Sequence, residues 1–291
     1  MWLGIDFSGD ITKWRPRCAR PSVWIAEIIA AEAGLELRSL CPVQALTGDG
    51  TPFERLTARL SAPDVQVVAI DAPLGIAAHA MPPGGFTAMV ELLTQPEPDS
   101  NRPFPRGSTV VCRLLGDDAG YGEKRYRPVT QAWRDRGLNL RSPLWAGPRG
   151  GAPLLAAGLQ LVSAAGLTVW PMGASPGADL ALVPVGAVVE GYPAGQLAVW
   201  GLPHTRYNPS TPVARAIRKT LVNAIETHVI LAPVFAAAMV ECADALDAVL
   251  CAVGAHAASR GWVAFPETRD HSGFIYVASA SAPAASGASR R

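Results

Sequence analysis

The stretch WLGIDFSG, residues 2–9, carries the first decision about the fold. An apolar run that stops at Asp6, with Ser8 and Gly9 just behind it, reads as a short strand entering a turn. Two more strand-like runs follow at 22–29 and 35–43, and Gly34 near the turn between them predicts antiparallel pairing. Thr51-Pro52-Phe53-Glu54 then opens a helix that should reach about Leu60: Thr caps it, Pro takes the first helical position and Glu completes a capping box. Residues 65–70, VQVVAI, are the unbroken apolar run of a strand buried on both faces. Residues 1–75 thus predict strand, strand, strand, helix, strand.

Beyond that point the rhythm breaks. Residues 76–150 are rich in Pro and Gly, and from Arg102 to Arg149 there are ten Lys or Arg against four Asp or Glu. This predicts a long central insertion, partly irregular and suited to cover a site. A helix is expected over 153–165, a strand over 167–171, and another over 183–192 with a short helix ending near Gly201. Thr211-Pro212 starts a further helix with Ile217, Leu221 and Ile225 on one face. One long helix is expected over 234–258, then a closing strand pair over 262–265 and 274–277. Residues 279–291 are Ala, Ser, Gly, Pro and Arg only, which predicts a disordered tail after a single domain over 1–278.

Composition narrows the class. With 49% hydrophobic and 17% charged residues the chain can bury a large core, and a net charge of +1 argues against coating nucleic acid by bulk charge. Five scattered cysteines without a C-x-x-C pair indicate neither a disulfide framework nor a zinc knuckle. Residues 1–30 lack the pattern of a secretory signal, and the most apolar segment is interrupted by Glu241, Asp244 and Asp247. A soluble, cytoplasmic protein with no membrane partner is the expectation.

The chemistry lies in the acids. Asp6, Asp71 and Glu190 each end an apolar strand and precede Gly or Pro within a few residues. In α/β sheets functional groups gather outside such strand ends. Asp244 and Asp247 are three apart, so they share one side of a helix with almost no polar face. A single strand-end Asp is ordinarily a turn or cap residue, and Asp244 or Asp247 alone could pair with Arg215 or Arg218. A whole set of converging carboxylates is a different matter, because they repel unless cations neutralise them, and Mg2+ or Mn2+ prefer such oxygen ligands.

At these residues the chain resembles the family called domain of unknown function 429, whose members are predicted to be ribonuclease-H-like nucleases. The matching pieces are GIDFSG at 4–9, AIDAPLG at 69–75, VVEGYPA at 188–194 and DALDAVLCA at 244–252, with GFIYVA as the closing strand. The resemblance implies an α/β fold with a ribonuclease-H-like mixed sheet flanked by helices. It also implies metal-dependent nuclease activity, with Asp6, Asp71, Glu190, Asp244 and Asp247 holding Mg2+ or Mn2+ and nucleic acid, DNA or RNA, as partner. Asp6 would bridge two ions, Asp71 or Glu190 would complete one shell, and Asp247 with Asp244 the other. The Arg- and Asp-containing segment usual in the insertion matches Val111-Cys112-Arg113-Leu114 only loosely.

Two other classes fit parts of this reading. The actin-like ATPase fold opens with the same element order, and there residues 4–9 and 71–75 would be phosphate loops. Pro73 stands against that, since it removes an N–H where phosphate would need one. A binding protein without catalysis is the third. The five histidines lack metal-ligand spacing, and Ser8 has no His partner in sequence for nucleophilic catalysis.

Overall fold

The computed structural model describes residues 1–97, 102–148, 150–172, 182–264 and 275–280. Its first half holds β1 (Trp2–Asp6), β2 (Trp24–Ala31), β3 (Gly34–Pro42), α1 (Pro52–Leu60), β4 (Val67–Ile70), α2 (Gly85–Leu93), α3 (Gly107–Leu115) and α4 (Pro128–Asp135). The second half holds α5 (Ala152–Ala164), β5 (Thr168–Val169), β6 (Ala187–Gly191), α6 (Pro193–Val199), α7 (Pro212–Ile225), β7 (Val229–Ile230), α8 (Pro233–Glu241), α9 (Ala243–Ser259), β8 (Val263–Ala264) and β9 (Ile275–Ala278).

The strands form one mixed sheet ordered β7-β3-β2-β1-β4-β6-β9-β8, with β5 also on β6. β1, β2 and β3 pair antiparallel, while β4 and then β6 run parallel to β1. Side chains alternate between the two faces. Leu3, Ile5, Val68, Ile70 and Val188 join a core completed by residues of α1, α2, α3 and α5. Trp2, Val67, Ala69 and Val189 join the opposite core, completed by α7 and α9. The sheet is therefore covered on both sides, in keeping with its apolar strands.

α9 lies directly on β1. A Cβ at Gly4 would fall 2.0 Å from the Ala252 nitrogen and 2.1 Å from the Ala248 oxygen, so only glycine permits this approach. Trp2 meets His256 edge to face one end further along, so helix and strand run in opposite senses. The N-terminal turns of α9 consequently sit over the end of β1 that carries Asp6.

One expectation needs correction, and two further features lie outside what the sequence predicted. The single helix over 234–258 is two helices, broken at Cys242 with φ −126° and ψ 120°. No Gly or Pro marks the break. It is held from outside, by Arg218 of α7 donating to the free carbonyls of Val240 (2.7 Å) and Glu241 (3.3 Å). The segment 76–150 is more ordered than its composition predicts: Met89, Leu93, Val110 and Val111 of α2 and α3 are buried in the same core as the sheet. The strand β7, parallel to β3, was not expected at all. The predicted tail lies outside the described residues from 281 onward, as do Phe265 and Phe274 of the closing strand pair.

Candidate functional site

The C-terminal ends of β1, β4 and β6 open into a cleft of about 680 Å³ lined by all five acids read from the sequence. Asp6 ends β1 on the α9 side, in phase with Trp2 and Gly4. It is 9% exposed, and no hydrogen-bond donor among the described residues reaches its carboxylate. Asp71 follows β4 with its backbone N–H bonded to the Ile5 carbonyl at 2.9 Å, which seats it beside Asp6. Asp244 and Asp247 descend from the first two turns of α9, where the positive end of the helix dipole favours acids. Asp247 is 7% exposed and accepts a hydrogen bond from the Tyr207 hydroxyl at 2.9 Å.

The electrostatics follow from crowding. Burial, then repulsion from Asp247, Asp244 and Asp71, holds the Asp6 carboxyl well above the usual carboxylate range. Asp247 is raised by burial and by Asp71, against the Tyr207 hydrogen bond. Asp71 is pushed up to about 7 by burial, with Arg141 opposing and Glu190 adding to the rise. Asp244, half-buried, is raised by burial while Lys13 and Arg218 oppose. The Cys251 thiol beneath them is forced well above its ordinary value by burial and the same acids, which removes it as a nucleophile.

Glu190 is placed differently. In the sheet it pairs with Ile70 and shares the face of Val188, one row short of Asp71 and on the side away from α9. There Arg127 grips it with two bonds, Nη1 to Oε2 at 2.7 Å and Nη2 to Oε1 at 2.5 Å. The Leu74 N–H adds a third at 3.1 Å, and the pair is buried, Arg127 being 1% exposed. Both oxygens are thus occupied by the protein itself.

The insertion contributes less positive charge to the cleft than its count of arginines suggested. Arg106 pairs with Glu97 and Arg125 with Glu123, while Arg134 and Arg136 lie over the rings of Tyr126 and Trp133. Arg113 is spent on the carbonyls of Leu92, Gln95 and Pro96. Among the described cations of the insertion, Arg127 and the exposed Arg141 line the cleft. Tyr207 escaped the sequence reading altogether, since an isolated tyrosine in a loop carries no periodic or motif signal. Arg218 holds its carbonyl, and that of Pro209 at 3.2 Å, which fixes the loop that brings Tyr207 to Asp247.

Among the described residues, no three His, Cys, Asp or Glu side chains stand in a geometry that would hold a metal ion. No helix among them is long and apolar enough to cross a membrane.

Fold and site together define a mixed α/β protein with a carboxylate-lined cleft at its strand ends. The model of a family described as Protein of unknown function (DUF429) matches residues 183–271, which takes in Glu190, Asp244 and Asp247 but not Asp6 or Asp71. No curated protein and no solved structure matches the chain.

Proposed function

We propose that this protein is a nuclease of ribonuclease-H-like architecture that hydrolyses phosphodiester bonds with the help of divalent cations. The observation that carries the reading is Asp6: an almost fully buried carboxylate without a donor among the described residues, facing three more carboxylates. Ionised buried acids normally find a cation or hydrogen bonds, and the strand-end position is where α/β sheets put their chemistry. A sheet in which antiparallel β2 and β3 flank one side of β1, and parallel β4 and β6 the other, supports the fold.

The donor set suits Mg2+ or Mn2+, being all carboxylate oxygen. Asp6, Asp71, Asp244 and Asp247 are the residues that would hold the ions, and their side chains must draw together to do so. Bound there, the metal would supply an activated water and stabilise the departing oxygen. Tyr207 orients Asp247 through its hydroxyl. Arg141, on the wall facing Asp71, is placed to take a phosphate oxygen. Glu190 keeps the Arg127 guanidinium fixed at the floor, so we assign it to shaping the cleft rather than to the ions.

The spacing of the acids favours one other reading, a binding protein on the same fold without catalysis. Labelled DNA and RNA incubated with purified protein and with an Asp6→Asn variant, in Mg2+ and in Mn2+, separate the two. Cleavage by the wild type alone is expected. Equal cleavage by both proteins, or none with any substrate, overturns the nuclease.

A further inference from the structure

The loop from β1 to β2 carries a second signal. Residues 11–26 contain Lys13, Arg15, Arg17 and Arg20 and no acid. Ser8, Gly9, Asp10 and Ser22 at its two ends line the cleft, so the loop forms part of the rim. It is held in place from within. Asp10 caps its helical turn through the Thr12 N–H at 2.9 Å, and buried Trp14 donates to the Ser8 carbonyl at 2.8 Å. The Gln44 amide grips the carbonyls of Lys13 (2.7 Å) and Arg15 (3.3 Å). Arg15, Arg17 and Arg20 project from this scaffold exposed, without an ion pair among the described residues.

An aromatic pair backs the cleft wall that the loop meets at Gly9. Gly9 packs on Pro153, both line the cleft together with Gly147, and a Cβ at Gly147 would fall 2.6 Å from the Trp145 ring. The Trp145 ring stands 5.5 Å from Tyr121, with the Lys124 ammonium 4.5 Å from its centroid, and Tyr121 is 64% exposed. Preset cations next to an exposed ring are the ingredients of a surface that grips a phosphate backbone and stacks a base. A base face is free to stack only when it is not enclosed in a duplex.

We infer that this rim docks single-stranded nucleic acid, with phosphates on Arg15, Arg17 and Arg20 and a base on Tyr121. The inference deepens the nuclease reading by naming its substrate class, but docking itself requires no metal. The test is therefore run in EDTA, by fluorescence anisotropy with a labelled oligothymidylate of roughly 20 nucleotides and a duplex of equal length, against R15A/R17A/R20A and Y121A. Circular dichroism melts check that these surface variants fold like the wild type. Tighter binding of the single strand is expected, weakened tenfold or more in the triple variant. Losing three phosphate contacts should also lower the slope of log K against log salt by about 2, at roughly 0.7 per contact. Y121A should bind roughly fivefold or more weakly at an unchanged salt slope. Equal or tighter binding of the duplex, no binding of the strand, or a triple variant with wild-type affinity and slope overturns the inference. Binding as expected without cleavage when Mn2+ is added upholds the docking and overturns the nuclease.

Discussion

Replacing Asp71 by Asn should stabilise the protein, and do so only above acidic pH. Asp71 has its folded pKa raised from 3.8 to about 7. The unfolded chain therefore releases this proton near pH 4, while the folded chain keeps it until near pH 7. Wild-type stability falls through that window and levels off above it. A tenfold change in acidity corresponds to about 1.4 kcal/mol, so a rise of this size sets a ceiling of about 4 kcal/mol. Asp71 is half-buried and shares its proton balance with Asp6 and Asp247, which brings the expected gain to about 1–3 kcal/mol at pH 8. Asn keeps the shape and removes the charge. Urea unfolding of both proteins in EDTA at pH 4, 6 and 8 measures the difference, which should grow from near zero to its full value. A variant less stable at pH 8, or a difference independent of pH, would refute the idea that repulsion among these acids burdens the fold.

Two further outcomes follow from the site's fixed partners. Arg127→Met should cost about 3–5 kcal/mol in denaturant unfolding, because it leaves Glu190 buried and uncompensated, and adding Glu190→Gln should recover much of that loss. Tyr207→Phe removes the hydrogen bond that favours ionised Asp247, so the acid limb of the cleavage pH profile should move to higher pH.

Much of the frame was legible because it rests on local rules. The Thr51–Glu54 capping box forms with both of its hydrogen bonds, and the apolar runs at 2–6 and 65–70 become neighbouring strands. Asp6 and Asp71 could be placed at strand ends from the runs before them. Whether they share a face with Glu190 could not, because that depends on register between strands. The row Ile5, Ile70, Glu190 puts Glu190 one residue out of phase with the other two acids. The break at Cys242 was equally hidden. Arg218, which binds the carbonyls there, lies on another helix, and no Gly or Pro stands at the break. Without the break, Glu241 would continue one helix with Asp244. With it, Glu241 turns outward to pair with Arg215, and α9 begins afresh over β1. The arginines of the insertion could be counted from sequence, but their partners, such as Glu97, Glu123 and the ring of Tyr126, are matters of tertiary packing.

The central claim is that Asp6 and its neighbours form a pocket whose negative charge a divalent cation relieves. Calorimetric titration of Mn2+ into metal-free protein at pH 7.5, beside an Asp6→Asn/Asp247→Asn variant, tests it most directly. Saturable binding by the wild type that disappears in the variant is the predicted result. A wild type that takes up no Mn2+, or a variant that binds it equally well, would contradict the account.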